Sequence, residues 1–140
     1  MPAYIESPAV SSDTAARAVA LAIKAGTRRV VRVCGALVDP ALGLVAYGRV
    51  DGMTPHGAEI SRRKANTAAS SRRPSSAVPH AFERGTRGLL TSIRGGLPVS
   101  FGGLSVSGLG VAGGPQQQDA EIVAVVIRGI GTDQNGAADS

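Results

Sequence analysis

The stretch Ser107-Gly108-Leu109-Gly110-Val111-Ala112-Gly113-Gly114-Pro115 decides how this chain is read. It predicts a buried strand, a glycine turn and the first turn of a helix, which continues through Gln118-Asp119 to about Ile130. Small residues let the turn backbone approach another group closely, and glycine reaches positive φ there without steric cost. Pro115 suits the first helical position, where its missing N–H would be unpaired in any case. The unpaired amides and the positive end of the helix dipole then make a seat for a carboxylate or a phosphate. Gly113 and Gly114 are the candidate ligand-binding residues of that seat.

Upstream, Leu97 to Phe101 and Leu104 to Val111 read as a hairpin turning at Gly102-Gly103. Gly95-Gly96 breaks a weaker helical segment over Ala81 to Ile93, and Arg72 to Pro79 is a polar connection. Pro55 introduces a helix to about Ser70, with Ala58, Ser61, Ala65 and Ala68 on one face, small enough for close approach to a sheet. Val30 to Val38 and Leu42 to Val50 read as a second hairpin across Asp39-Pro40. The first helix has cap oxygens at Ser11-Ser12-Asp13, an apolar face of Ala15, Val19, Ala22 and Ile23, and a stop at Gly26. Strands arrive as hairpins and helices fall between the pairs. The fold class expected is α/β in the α+β sense, an antiparallel sheet flanked by helices.

A chain of 140 residues suits one domain. It is expected over residues 13–131, after an extension of residues 1–12 and before a flexible tail of residues 132–140. Trp is absent and Tyr and Phe number two each, so Ala, Val, Leu and Ile must fill the core. No apolar run approaches the roughly 20 residues of a membrane span, and residues 1–12 lack the pattern of a secretory signal. Cys34 stands alone, which points to a reducing cytoplasm and no internal disulfide. The net charge of +5 comes mostly from Arg clusters at 28–32, 62–64 and 72–73. No nucleic-acid module or aromatic platform accompanies them, so solvated faces and subunit edges are the better reading.

Lys64 and His56 are the candidate catalytic residues. A partly buried Lys64 would have a depressed ammonium pKa, as base or imine chemistry requires, or would anchor a neighbouring carboxylate. His56 opens the helix that carries Lys64. Arg49, Lys64 and Asp119 join Gly113 and Gly114 as candidate ligand-binding residues. Arg49 can grip a carboxylate through two parallel N–H bonds, and Asp119 sits where a carboxylate favours the helix dipole. His56 and His80 have no partner at chelating spacing, so no metal site is expected.

Leu37-Val38-Asp39, Gly43, Tyr47 to Met53, Ser61, Lys64 to Ala68, Gly95 to Val99, Gly108 to Gly113 and Gln118-Asp119 occur in that order. In this the chain resembles the GlcG/HbpS-like family of small haem-binding-like proteins, which also supplies the C-terminal domain of a corrinoid adenosyltransferase. The resemblance spans roughly residues 13–131 and implies a profilin-like sandwich and a homo-oligomer. It implies haem or a corrinoid as possible ligand. Residues 13–26 contain no His, Cys, Met or Tyr to serve as an axial ligand, and Ala112 stands where the family usually has Ser. The function expected is binding of an anionic small molecule in a cleft at the glycine turn. An enzyme acting there on a small organic acid or biosynthetic intermediate is the alternative, and an oligomeric interaction protein the third.

Overall fold

Helix α1 (Ser12–Arg28) opens where the Ser11 hydroxyl accepts a hydrogen bond from the Thr14 amide at 3.2 Å. These assignments come from a computed structural model, which describes residues 2–132. The helix runs past Gly26 instead of stopping there. A Cβ on Gly26 would lie 2.6 Å from Val33 Cγ2 and 2.9 Å from the Val31 carbonyl, so glycine lets the chain fold back under the last turn. That return occupies residues 29–33 and shortens the first strand to β1 (Cys34–Val38).

Strand β2 (Leu44–Arg49) pairs with β1 across a turn in which Asp39 Oδ1 accepts from the Ala41 and Gly43 amides, each at 2.9 Å. Helix α2 spans Gly57–Ser71, and a short 3₁₀ turn covers Ser75–Ala77. Strands β3 (Gly96–Phe101) and β4 (Leu104–Ala112) turn through Gly102 and Gly103, at φ +58° and +80°. Two successive positive φ values match the twist of a tight hairpin. Helix α4 covers Gln116–Gly129, with Pro115 just outside it at φ −55°, ψ 146°. The proline therefore precedes the first helical residue, one place earlier than its sequence position suggests. Ala120, Val123 and Ile127 of α4 are buried as expected.

The sheet order is β2-β1-β4-β3, with every neighbouring pair antiparallel. On one face Leu37, Leu97, Val99, Leu109 and Val111 meet the apolar sides of α1 and α4 in the main core. On the other face lies α2, which approaches at backbone distance. Gly96 stands opposite Gly110 in the ladder, and Gly108 opposite Pro98. A Cβ on Gly110 would overlap the Ser61 carbonyl, one on Gly108 the Ala65 carbonyl, and one on Gly96 would lie 2.5 Å from the Lys64 carbonyl. Ser61, Ala65 and Ala68, buried on the facing side of α2, leave the same room. At the C-terminal end Thr132 is buried, and its hydroxyl accepts from the Ser100 amide at 2.8 Å. The rest of the expected tail, 133–140, lies outside the described residues.

The helix expected over 81–93 is only one turn long, α3 (Ala81–Gly85). Arg87 and Gly88 take φ +52° and +81°, which no helix accommodates. The remainder is tied down by Glu83. Its Oε1 accepts from the Ser92 amide at 2.5 Å, the Ser92 hydroxyl at 2.8 Å and the Thr91 hydroxyl at 2.9 Å. The Ser92 amide first, and then the two hydroxyls, hold the Glu83 carboxyl below its usual pKa. A depressed carboxylate pKa stabilises the fold fully above the ordinary glutamate value, and the effect fades as pH falls through the lowered one. Urea unfolding followed from neutral to about pH 3 should show Glu83→Gln losing less stability along the acid limb than the wild type. Parallel acid limbs for the two proteins would contradict this role.

Candidate functional site

A pocket of about 380 Å³ opens where the N-terminal ends of α2 and α4 converge on the turn after β4. His56 and Gly57 line it from the start of α2, and Gln116 and Asp119 from the start of α4. Gly113 and Gly114 form one wall, and Ile60 and Ile93 supply apolar surface. Neither helix has a side-chain cap on its first turn. Both helices thus aim a positive dipole end at the same cavity, although the Gly57 amide of α2 is already taken by the Thr54 carbonyl at 3.1 Å and the Ile60 amide by the His56 carbonyl at 3.1 Å.

Lys64 lies at the floor, only 1% exposed. The glycine-lined sheet beneath α2 sets this depth, and the side chain runs on towards the start of α4. Its Nζ donates to the Val111 carbonyl at 2.8 Å and to Asp119 Oδ2 at 3.0 Å. The other carboxylate oxygen of Asp119 accepts from the Gly114 amide at 2.9 Å. Gly95, at φ +119°, gives the ammonium its space, since a Cβ there would stand 2.9 Å from Nζ. Burial pushes the Lys64 ammonium pKa down and the Asp119 carboxyl up, and each partner's charge opposes the shift in the other. A desolvated pair of this kind adds little net stability against an apolar pair, but one charge left alone there is costly.

The structure brings Lys64, His56, Gly113, Gly114 and Asp119 to one pocket. Arg49 is not among them. It ends edge strand β2 in the same row as Cys34 and Ala112, with β1 between it and β4. That is two strand spacings, about 10 Å, from the end of the β4 strand. Asp119 sits at the seat read from the glycine turn, where it takes the Gly114 amide itself. Its pairing with Lys64 was hidden in the sequence because 55 positions separate the two. Gln116 is a lining residue not among the sequence candidates, and its place directly after Pro115 is the one local signal for it. Ile93 carries no local signal and reaches the pocket from the loop before β3, where its carbonyl accepts from the Ser75 hydroxyl at 2.6 Å and Glu83 holds the preceding Thr91 and Ser92. His80 lies elsewhere, its Nδ1 2.7 Å from the Ser92 hydroxyl. Among the described residues no group of three or more His, Cys, Asp or Glu side chains gathers to hold a metal. No described helix is long and apolar enough to cross a membrane.

An open four-stranded antiparallel sheet, covered by helices on both faces and with a cleft over two helix ends, defines the class of small α+β domain to which this chain conforms. The profile of the family described as "Haem degrading protein HbpS-like" matches residues 10–128, and the chain belongs to that family. Protein GlcG of Escherichia coli strain K12 is 37% identical over 82 residues, which cover 55% of this chain and 61% of GlcG. The crystal structure of HbpS superposes with a TM-score of 0.84 at 28% identity, covering 92% of this chain and 95% of the other. Two further structures share the fold at lower identity. Klebsiella pneumoniae protein ORFY gives a TM-score of 0.86 at 23% identity, covering 93% of this chain and 96% of that one. The PduOC:heme complex gives 0.83 at 21% identity, covering 90% and 98%.

The pairing at the floor makes a definite energetic demand. Lys64→Met leaves the Asp119 carboxylate buried without its cation and is expected to cost about 3–5 kcal/mol of unfolding free energy. Adding Asp119→Asn removes that charge and keeps an acceptor for the Gly114 amide. The double variant should therefore be more stable than Lys64→Met alone by denaturant melts. A double variant less stable than the single would show that the pair is not coupled as described.

Proposed function

We propose that this protein binds a small acidic molecule in the pocket between the α2 and α4 N-termini. The observation that carries the reading is the convergence of two uncapped helix starts on one cavity. The Asp119 carboxylate does not cancel their effect, because it is itself held by Lys64 and the Gly114 amide. An ammonium has three N–H donors, and Lys64 spends two on Val111 and Asp119, which leaves one for a ligand. His56 and Gln116 add polar groups at the rim, and Ile60 and Ile93 give the ligand's carbon skeleton a surface. Lys64 is in this reading a tether that also presents a hydrogen bond.

The family membership and the haem complex of PduOC support a small-molecule ligand and raise haem as the specific candidate. The residues of this pocket fit haem poorly. At about 380 Å³ it lies near the low end for small-molecule sites, and its floor is a buried ion pair. His56 is the one lining residue of the usual haem-ligating kinds, and it is exposed at the mouth. A small carboxylic acid matches the size and the donors better.

Butyrate and butyramide separate charge recognition from simple filling of the pocket. In an amide-resolved NMR titration, butyrate should shift the signals of His56, Gly57, Gly113, Gly114 and Gln116, and butyramide should not. His56→Ala should weaken butyrate about tenfold, the worth of one charge-assisted hydrogen bond. Equal shifts from the acid and the amide, or none at these residues, would contradict an acid site.

A further inference from the structure

Gly113 and Gly114 are a ridge as well as a wall. Beyond them lies a second hollow of about 530 Å³, which shares Thr54, Gly113 and Gly114 with the first pocket. Its walls are Val30, Val31, Met53 and Pro115, all apolar, and its charged group is Arg32. The ridge is low because it consists of glycine. A Cβ on Gly113 would meet the Arg32 carbonyl and lie 2.5 Å from Met53 Cε, and one on Gly114 would lie 2.6 Å from Val31 Cγ1.

Arg32 is exposed at the edge of this hollow. Its guanidinium rests on the backbone of Gly52, where a Cβ would stand 3.3 Å from Nη1, 3.4 Å from Cζ and 3.7 Å from Nε. Gly52 is at φ +79°, so the absence of a side chain there serves both the turn and the guanidinium. Among the described residues no carboxylate lies within ion-pair distance of Arg32, whereas nearby Arg29 pairs with Glu121 at 2.5 Å. Val30 adds exposed apolar surface at the edge of the same hollow. It is 94% exposed and sits at φ +59°, a conformation β-branched residues rarely adopt. The cap of α1 sets that backbone, with the Val30 amide donating to the Thr27 carbonyl at 3.1 Å and the Val31 amide to the Gly26 carbonyl at 2.9 Å, and it leaves the side chain at the rim of the hollow, where an apolar ligand body would cover it.

We propose that the two hollows form one elongated site for a dicarboxylic acid with an apolar middle, with Arg32 binding the outer carboxylate. The inner carboxylate faces the helix ends, the carbon chain crosses the glycine ridge, and Met53 and Val31 flank it. Arg32 suits this task because its planar fork donates two parallel N–H bonds to a carboxylate. This inference rests on the inner pocket being an acid site, and the test keeps the two apart.

The probes are the straight-chain diacids from succinate to sebacate, with butyrate as the short monoacid, titrated by calorimetry and NMR. At least one longer diacid should bind about tenfold more tightly than butyrate and shift the signals of Val31, Gly52 and Met53 as well as those of the inner pocket. Arg32→Gln should remove that gain of about tenfold and leave butyrate binding and the melting temperature unchanged. Arg32→Lys, which keeps the charge and loses the fork, should fall between. Diacid binding unaffected by Arg32→Gln would overturn the elongated site while butyrate shifts still supported the inner pocket. Failure of butyrate and every diacid to bind would overturn both.

Discussion

The structure depends on how closely one helix can lie on one sheet. Helix α2 rests on Gly96, Gly108 and Gly110 with its backbone against theirs, and no side chain on the sheet separates them. Each glycine in a strand costs roughly 0.5–1 kcal/mol relative to alanine through lost chain entropy. Alanine would nevertheless be worse here, because a methyl group at these positions has no space to occupy. Small residues on the helix, Ser61, Ala65 and Ala68, complete the fit. A chain with so few aromatics builds this half of its core from close backbone packing, and leaves branched aliphatic residues to the opposite face with α1 and α4.

The consequences reach the cleft through Lys64. With α2 held this low, its long side chain passes over the end of β4 and meets Asp119 at the start of α4. One buried ion pair thereby links α2, β4 and α4, and through the Gly114 amide it fixes the turn between the last two. The same arrangement determines what the cleft offers a ligand. The floor is electrically balanced, and the positive character comes from the dipole ends of two helices. Specificity is left to rim groups such as His56 and Gln116.

Much of this was legible in the sequence, for reasons tied to particular residues. The hairpin at Gly102-Gly103, the cap at Ser11 and the turn at Gly113-Gly114 are local chemistry, and local chemistry reads directly. Lys64 is marked in the sequence by residue type, and His56, Gly113, Gly114 and Asp119 by their place at a helix start or glycine turn. Their mutual arrangement was not readable, because an ion pair between residues 64 and 119 is made by tertiary packing. Gly26 misled for a related reason: glycine at a helix end and glycine under a helix look alike in sequence, and Val31 and Val33 decide between them. Arg49 misled because a cation at the end of a strand says nothing about how many strands stand between it and a turn. The second hollow has no local signature, since in sequence Arg32 is one member of a basic cluster and its place beside Gly52 is made by tertiary packing.

The account rests most heavily on the backbone contact between α2 and β4, and the stability of Gly110→Ala measures it directly. Gly85→Ala serves as the control, because a Cβ there meets nothing within 4 Å and the residue ends a helix. Equilibrium unfolding should show Gly110→Ala losing about 1–3 kcal/mol or more, the cost of overpacking a tight site, with Gly85→Ala close to the wild type. A Gly110→Ala protein as stable as the wild type would mean that α2 does not lie on the sheet at backbone distance, and the placement of Lys64 and of the cleft would fall with it.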